Sequence, residues 1–417
     1  MRVLMLSWEF PPLVVGGLGR HVGALSRSLV AAGHEVRVVT RGDSAAATTS
    51  VTEGVRVTRA AVDPIDVGFT TESLLSWSFG HEHALLRAAL PQVREWQPDV
   101  VHAHDWLTAQ SGMTLAAATG APLIVTMHAT ERGRHRGWLS SPLNRAIHSV
   151  ERWQVRSADE VIVCSHAMQA EVRDGLDTGQ DRIVVVPNGV DVDAWRVPRR
   201  RAAQMRAGLG AGPLVVLAGR LVHEKGGQDL IAAMPAVRRH HPGARLVIAG
   251  SGPHEDELRT DARRRRVPVT WAGFVPDGQL AVLLAAADVA VVPSLYEPFG
   301  LVALEAQAAG TAVVASDVGG LADLVVDGRT GRLVPPGQPR ALAAALDQLL
   351  ADPALRASLA RRARRRVRGE FTWAAVAEST AVVYAAAVAR RRPANIPVTR
   401  AARPQPVESV SARRPQS

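Results

Sequence analysis

Short, nearly continuous apolar runs alternate with segments of helical periodicity along most of the 417-residue chain. The runs of the first half are RVLMLS (2–7), EVRVVT (35–40), DVVHAH (99–104), PLIVTM (122–127), EVIVCS (160–165) and RIVVVP (182–187). Those of the second half are LVVLAG (214–219), RLVIAG (245–250), VTWAGF (269–274), VAVVPS (289–294) and AVVASD (312–317). Unbroken Val, Ile and Leu runs are typical of parallel strands that helices cover on both faces. The pattern therefore predicts an α/β architecture with two doubly wound sheets.

The two halves are separated by AWRVPRRRAAQMRAGLGAGP, which interrupts the alternation near residues 195–212 with proline, glycine and an arginine run. We therefore place a first domain at 1–195 and a second at 196–371. Residues 391–417 contain too few large apolar side chains to pack against a core, and we expect a disordered tail there. Facing sheets of this kind place their functional loops at the carboxyl ends of the strands, around one crevice.

The composition and the apolar runs indicate whether the protein is expected to span a membrane, to be exported or to remain in the cytoplasm. No apolar run approaches the roughly 20 residues of a membrane-spanning helix, and the start MRVLMLSW does not resemble a secretory leader. The single cysteine, Cys164, excludes an internal disulfide and a multi-cysteine metal site, and we expect it to be a small core residue. We therefore expect a soluble, cytoplasmic protein.

The formal net charge of +10 raises the alternative of nucleic-acid binding. The arginine runs at 199–201, 263–266 and 361–366 are scattered, however, and no aromatic residues interleave with them to stack bases. We therefore expect no specific nucleic-acid partner, although the basic surface favours weak association with membrane surfaces. The sequence leaves the oligomeric state open.

Lys225, in AGRLVHEKGG (218–227), is the only lysine among the 49 lysine and arginine residues. In a chain so biased towards arginine, this exception indicates a site that needs a compact ammonium charge rather than a planar guanidinium. Arg220 precedes it in the same segment. Two unlike cations in one short loop predict an anion-binding site.

A glycine-rich segment lies between the first apolar run and the next helical segment. Gly16, Gly17 and Gly19 let backbone amides approach an anion at the start of a helix. Alone the signal is weak, because glycine also serves in any tight turn. A dinucleotide fingerprint would need an acidic residue at the end of the second run, which instead ends in Thr40 and Arg41.

Two further segments of the first half carry candidate chemistry at predicted strand ends. HAHDW (102–106) could bind a metal ion, but without a clear further ligand it is more typical of a hydrogen-bonded polar cluster. HATERGRHRGW (128–138) places His128 just past another strand and ends at Trp138. Trp106 and Trp138 could each stack on a sugar ring or fill a core.

The segment PSLYEPFGLVALEAQAAG (293–310) carries two carboxylates around a predicted helix start. Glu297 stands in the loop and Glu305 in the helix, which we expect to start near residue 300. The amides of Phe299, Gly300 and Leu301 would then be free to hold hydroxyl or phosphate oxygens. Either glutamate alone could be an ordinary helix or surface charge; both in this loop indicate a binding site.

These motifs together resemble those of the family 4 retaining glycosyltransferases of the GT-B fold. EPFGLVALE matches their E-x7-E and GRLVHEKG their R-x4-K, and GGLG, PNGVD (187–191), AGSGP (249–253) and GFV (273–275) match further landmarks in order. More narrowly, SWEFPP…GGLGRHV, HAHDW and HATERGRHRGW resemble the actinobacterial α-1,4-glucosyltransferases of glycogen and methylglucose lipopolysaccharide synthesis. The resemblance extends from residue 1 to about residue 390.

The resemblance implies two Rossmann-like domains that face a central cleft, and a C-terminal helix at 372–390 that crosses back to the first domain. It implies that Arg220 and Lys225 clasp the diphosphate of a nucleotide sugar, with Gly17 close to the same phosphates. Glu297 and the three amides after it would hold the sugar hydroxyls, and Glu305 the ribose hydroxyls.

The remaining roles follow from the same resemblance. His128 would lie beside the sugar as a catalytic residue together with Arg220, Lys225 and Glu297, and Gly250 and Val275 would complete the donor side. Asp105, Trp106 and Trp138 are the expected acceptor-binding residues. The anomeric configuration would be retained, and no cofactor and no metal ion are expected.

Two departures keep the substrates open. Bacterial glycogen synthases that resemble this chain have a lysine in K-x-G-G where Val14 stands, and they lack a counterpart of Glu305. These departures weaken ADP-glucose as the assumed donor, so the donor is left as ADP-glucose or UDP-glucose, and the expected acceptor is an α-glucan or a glycolipid. Alternatives are mannosyl or other transfer to a lipid or small molecule, a nucleotide-sugar epimerase, and a non-catalytic binder. The DVD at 191–193 is interpreted as linker structure rather than a metal site.

Overall fold

The computed structural model describes residues 1–14, 16–63, 70 and 72–391. In these residues the first half of the chain builds an eight-stranded sheet of order β3-β4-β2-β1-β5-β6-β7-β8. Every neighbouring pair is parallel except β3 and β4. The strands are β1 Arg2–Ser7, β2 Glu35–Arg41, β3 Thr48–Thr52, β4 Val55–Ala60, β5 Val100–His104, β6 Leu123–Met127, β7 Glu160–Val163 and β8 Ile183–Val185.

The second half builds a six-stranded sheet of order β11-β10-β9-β12-β13-β14, in which all pairs are parallel. Its strands are β9 Leu214–Ala218, β10 Arg245–Ala249, β11 Val269–Gly273, β12 Val289–Val292, β13 Ala312–Ser316 and β14 Arg332–Val334. The prediction of two parallel, doubly wound sheets is confirmed.

Helices cover both sheets. Those of the first half are α1 Gly17–Ala31, α2 Leu74–Trp96, α3 Ala109–Thr119, α4 Glu131–Arg134, α5 Pro142–Ser157 and α6 His166–Leu176. They are followed by α7 Arg199–Leu209, α8 Gly227–His240, α9 Glu255–Arg264, α10 Asp277–Ala286, α11 Leu301–Ala309, α12 Gly320–Leu324, α13 Pro339–Ala351, α14 Pro353–Glu370 and α15 Trp373–Arg391. Single 3-10 turns occur at Trp106–Thr108, Gln180–Arg182 and His223–Lys225.

All eleven predicted strands are present within a residue or two of their expected bounds, and three further strands were not predicted. Of these, β3 is exposed along its whole length and β4 follows it across a tight turn. The segment at 195–212, which we predicted as an interruption, contains the helix α7. Of the predicted disordered tail at 391–417, Arg391 instead ends helix α15, and residues 392–417 lie outside the described residues.

The glycine-rich segment differs from expectation in one respect. Helix α1 begins at Gly17, so Gly17 and Gly19 lie within its first turn instead of preceding it. Glycine is required at Gly19 because a Cβ there would come within 2.8 Å of the Cβ of Glu9 in the preceding loop. Close packing of the preceding loop on helix α1 therefore explains why a glycine lies inside the first turn of the helix.

Helix α15 returns from the second half of the chain and packs against the first. Its buried Tyr384 lies 2.7 Å from Nδ1 of His102 in β5, and its last residues, Arg390 and Arg391, pair with Glu160 and Asp159. The C-terminal helix thus crosses back to the first sheet, as the resemblance implied.

One continuous buried cluster includes apolar residues of both sheets, and Phe299 and Cys164 belong to it. Cys164 is buried, as predicted from its isolation in the sequence. Among the described residues no helix is both long and apolar enough to cross a membrane.

Candidate functional site

Two helix N-termini meet where the sheets face each other. A Cβ on Gly17, the first residue of α1, would lie 2.9 Å from Cδ1 of Leu301, the first residue of α11. The N-cap residues are Gly16 and Gly300, so no side chain caps either helix. Their first amides and the positive ends of both helix dipoles therefore converge on one region, an arrangement suited to an anion.

Lys225 lies within this arrangement through Glu297. Its ammonium donates a hydrogen bond of 2.7 Å to Oε2 of Glu297, and the Ser294 hydroxyl donates to the same oxygen at 3.0 Å. An ammonium carries three protons, and the described contact uses one of them. The lone lysine can therefore keep its carboxylate and still donate to an anion.

Arg220 is held less firmly. Its guanidinium lies 3.8 Å from the Glu224 carboxylate, and 53% of the side chain is exposed. An exposed pair at this distance contributes little stability. The side chain is therefore free to turn towards an anion, whereas Lys225 is fixed.

Glu305 is buried and spans the two halves of the chain. Its Oε1 forms a short ion pair with Arg20 of α1, which also lies 3.4 Å from Asp277. Its Oε2 is buried and has no hydrogen-bond partner in the part of the chain that the structure describes. Burial raises the pKa of this carboxyl to about 7, against the pull of Arg20 in the opposite direction. An accepting oxygen is thus available for a hydroxyl group.

Three further residues were predicted on the donor side, namely Phe299, Val275 and Gly250. Phe299 is buried, and Val275 is partly buried against the same apolar cluster. Gly250 has φ +142° and donates its amide to Gly273 at 2.6 Å; a Cβ there would overlap the carbonyl of Gly219. Only glycine can bring these two loop backbones so close.

The loop that carries Glu297 is fixed against the first half of the chain. The Ser165 hydroxyl donates to the carbonyl of Pro298 at 2.7 Å, and the Tyr296 hydroxyl lies 3.1 Å from Glu171. Ser165 follows β7, whose neighbour β6 leads to His128. The carboxyl ends of both sheets thus border one cleft, as their topology requires.

A cluster of histidines lines the first-half side. Nδ1 of His104 lies 3.1 Å from Nε2 of His128, and the ring of His21 packs edge-on against His128. Nδ1 of His21 lies 2.7 Å from Oδ1 of Asn188 in the PNGVD segment. His102, also in the HAHDW segment, has both ring nitrogens within hydrogen-bond distance of partners, the hydroxyls of Tyr384 and Thr126.

Burial keeps these imidazoles neutral. It lowers the pKa of His21 to about 3 and that of His128 to about 4, and it places the pKa of His104 well below the usual value. Of the three residues only His128 is partly exposed. At neutral pH it can therefore offer an uncharged donor or acceptor to a ligand in the cleft.

Asp105 has a clear structural contact. Its Oδ1 accepts the amide of His128 at 2.7 Å, and its backbone adopts φ +58°. Burial raises the pKa of its carboxyl to about 7. The described contacts hold the loop of His128 in place, so acceptor binding by Asp105 stays a prediction.

The two predicted tryptophans differ in setting. Trp106 is half-buried in a 3-10 turn, whereas Trp138 is 75% exposed after the short helix α4. The core alternative for Trp138 is therefore wrong, and its stacking role stays a prediction.

In the DVD segment, Asp191 accepts the amides of Asp193 and Ala194, as expected of linker structure.

A cavity of about 380 Å³ lies beside the loop between β1 and α1. Arg41, Trp77 and His81 are among its lining residues, and the Arg41 guanidinium stacks 4.7 Å above the ring of Trp8. An aromatic wall with a few polar groups is typical of a small-molecule site. None of the sequence motifs described above predicted this cavity.

Sequence reasoning also missed Arg20 and His21, adjacent residues of α1. Both meet partners more than 80 positions away, such as Asn188 and Glu305. The local signals were their position directly after the glycine segment, one helical turn into α1, and their place in the motif GGLGRHV. Neither partner could be paired with them without the fold.

Comparison with known proteins agrees with these observations. A protein-family model described as "Glycosyltransferase Family 4" matches residues 15–194. A second family model, described as "Glycosyl transferases group 1", matches residues 206–366. The chain is 46% identical to a glycogen synthase of Mycobacterium tuberculosis, over 93% of this chain and 95% of the relative. It is 33% identical to an α-maltose-1-phosphate synthase of Mycolicibacterium smegmatis, over 92% and 99% of the two chains.

A solved structure extends the comparison to the fold. Sucrose-phosphate synthase from Thermosynechococcus elongatus superimposes with a TM-score of 0.81 at 28% sequence identity. The match covers 93% of this chain and 99% of that structure. The fold of most of the chain therefore has a counterpart in a solved structure.

Proposed function

The chain belongs to the family 4 glycosyltransferases of the GT-B fold, and we propose that it moves glucose from ADP- or UDP-glucose to an α-1,4-glucan-type acceptor with retention of configuration. The observation that carries the donor side is the pair of uncapped helix N-termini at Gly17 and Leu301, beside Lys225 and Glu297. Such a site is suited to a diphosphate on one side and sugar hydroxyls on the other.

The groups that we propose hold the donor still have hydrogen-bonding capacity that their described contacts do not use. Lys225 and Arg220 contact the diphosphate, and the amides after Glu297 contact the sugar. A ribose hydroxyl donates to Oε2 of Glu305, the buried oxygen without a partner among the described residues. His128, neutral and partly exposed, hydrogen-bonds the sugar from the opposite side.

The chemical step uses the leaving phosphate as the base. The bond between the anomeric carbon and the phosphate oxygen breaks, and the acceptor 4-hydroxyl oxygen bonds to the same face of that carbon. The hydroxyl proton passes to the departing phosphate oxygen. Negative charge grows on the diphosphate as it leaves, so Lys225 and the helix ends stabilise the transition state more than the ground state. No step requires a metal ion or a cofactor.

The acceptor is assigned from the similarity to a glycogen synthase, and its partner groups from the first-half side of the cleft. We place the reacting glucosyl end near His128 and Asp105. The cavity lined by Trp77 and Arg41 suits an adjoining sugar residue, because an aromatic face and a guanidinium match a sugar's apolar and hydroxyl surfaces.

A second candidate acceptor is glucose 1-phosphate. The similarity to an α-maltose-1-phosphate synthase favours it, and the Arg41 guanidinium could contact its phosphate. The carboxylates of Asp43 and Asp63 also line this cavity and disfavour a dianion there. We therefore rank the glucan first.

The decisive experiment gives the purified protein ADP-glucose, UDP-glucose or GDP-mannose, each with maltooligosaccharides, glucose 1-phosphate or no acceptor. We expect chain extension from a glucose donor, with products that an α-1,4-specific glucosidase removes. Transfer to glucose 1-phosphate alone would select the second candidate. Activity with GDP-mannose alone would overturn glucosyl transfer, and conversion of the donor without any acceptor would indicate an epimerase. EDTA should leave the activity intact.

A further inference from the structure

The histidine cluster of His21, His104 and His128 has the spacing of a metal site. One ligand nitrogen of each residue lies within 4.8 Å of the others. Nδ1 of His104 and Nε2 of His128 are only 3.1 Å apart. Nitrogens about 2.0–2.1 Å from a tetrahedral zinc ion lie about 3.3–3.4 Å from each other. These two imidazoles thus already have nearly the separation of a chelating pair.

His21 supplies a third ligand nitrogen, and a hydrogen bond to Asn188 fixes the orientation of its ring. Its Nδ1 is bonded to Oδ1 of Asn188 at 2.7 Å, so the ring donates there and leaves a lone pair on Nε2. That Nε2 is buried and has no hydrogen-bond partner in the described segments. Metal-bound histidines almost always donate their other ring N–H to an oxygen in this way. A buried nitrogen without a partner also needs a physical explanation, which a bound ion provides.

We propose that a divalent transition-metal ion of the zinc type binds His21, His104 and His128, with its fourth position open to the cleft through the partly exposed His128. Binding requires that His104 carry its proton on Nε2, which is buried without a hydrogen-bond partner among the described residues, and that His128 carry its proton on Nδ1. Both facing nitrogens then present lone pairs. The alternative of a purely hydrogen-bonded cluster accounts for the contact between His104 and His128, but it leaves Nε2 of His21 and Nε2 of His104 without partners among the described residues.

A metal ion bound at this cluster inhibits the transfer of glucose. His128 is the residue that we place against the donor sugar, so a metal bound to it removes that contact and occupies the space beside the anomeric centre. This consequence rests on the proposed function, whereas metal binding does not. The site is therefore regulatory and is distinct from any catalytic metal requirement.

The binding experiment uses the full-length protein, freed of metal with EDTA and dialysed against Zn²⁺. About one ion should bind per chain, and Co²⁺ in its place should give the intense visible absorption of a four-coordinate site. His21→Gln should abolish binding at this site. Asn188→Ala, which keeps all three ligands, should weaken it by about 10–100-fold. Circular dichroism and melting curves establish that both variants fold.

A matched control is the double variant His240→Gln/His241→Gln. These histidines share Asp347 on the second half, with contacts of 3.1 Å and 2.9 Å, and could hold zinc weakly at the surface. Their removal should leave both the Co²⁺ spectrum and the inhibition unchanged. Loss of the spectrum in the control would place the ion there and overturn the proposal.

The activity experiment compares transfer rates with Zn²⁺ and with EDTA. Wild type should be inhibited and should recover in EDTA, and the inhibition constant should rise at least about tenfold in Asn188→Ala. Equal zinc affinity in wild type and His21→Gln, or no binding to either, would overturn the site. If no donor and acceptor pair is active, dialysis and the Co²⁺ spectrum still decide the metal site separately from the proposed function.

Discussion

Lys225 shows how a single residue's chemistry can be anticipated from composition. Its isolation among 48 arginines, the remainder of the 49 cationic residues of this type, indicated a need for an ammonium group, and the structure pairs that group with Glu297 at 2.7 Å. A guanidinium is planar and projects its donors in a fixed fork. Three rotatable N–H donors are better suited to bridging a carboxylate and a diphosphate that changes position as it leaves.

We predict that Lys225→Ala lowers kcat by at least about 100-fold, the scale expected when one transition-state charge contact is lost. Lys225→Arg should also be poor because the fork cannot take the ammonium's position. Steady-state rates with saturating donor are the measurement, and Arg265→Ala, at the exposed C-cap of α9, is the control. A normal rate for Lys225→Arg would contradict this account.

Glu305, which we assign to the donor ribose, also affects how the stability of the fold depends on pH. Burial raises its pKa from 4.5 to about 7, so between these values the folded protein holds a proton that the unfolded chain has released. Its contribution to stability therefore falls as pH rises through this window. The full effect is on the order of 3 kcal/mol.

We predict that Glu305→Gln raises the melting temperature relative to wild type at pH 8 and changes it little at pH 4.5. The amide mimics the protonated carboxyl, and activity should fall because it accepts a ribose hydroxyl less strongly. Calorimetric melts at both pH values test this, with the exposed Glu378→Gln as the control. A larger difference at pH 4.5 than at pH 8 would refute the raised pKa.

At the scale of elements, the buried parallel strands were predictable because burial on both faces leaves a continuous apolar run. The strand β3, with sequence TTSVT, is exposed at every position and carries no such run. It exists because β4 offers an antiparallel partner across a tight turn, which is information that a local pattern does not contain. The loop motifs at strand ends located Glu297 and Glu305, whereas His21 and Arg20 depend on contacts between distant elements.

A buried hydrogen bond between Tyr384 and His102 is among the contacts that hold helix α15 against the first sheet. We predict that Tyr384→Phe lowers the free energy of unfolding by about 1–3 kcal/mol, because Nδ1 of His102 then stays buried without a partner. Urea denaturation measures the change. Val382→Thr, on the exposed side of the same helix, should change stability by less than about 0.5 kcal/mol. Equal effects of the two substitutions would show that the contact contributes nothing.

At the scale of the whole molecule, the halves touch through polar contacts at the cleft. Ser165 donates to the Pro298 carbonyl, and Arg20 of the first half pairs with Glu305 of the second. The Arg20 pair is the more consequential, because it joins helix α1 of the first half to the carboxylate that we assign to the donor ribose. Donor binding and the relative position of the halves should therefore be coupled.

We predict that Arg20→Ala raises the KM for the nucleotide sugar by about tenfold or more, the scale of a lost hydrogen bond to a charged group. Without the cation the pKa of Glu305 rises further, so the acidic limb of the profile of kcat/KM against pH should move to higher pH. Arg20→Lys should restore part of both effects. In a double-mutant cycle with Glu305→Gln, the two substitutions should be non-additive by about 0.5–3 kcal/mol. Additive losses, or an unmoved pH profile in Arg20→Ala, would mean that Arg20 acts on the donor independently of Glu305.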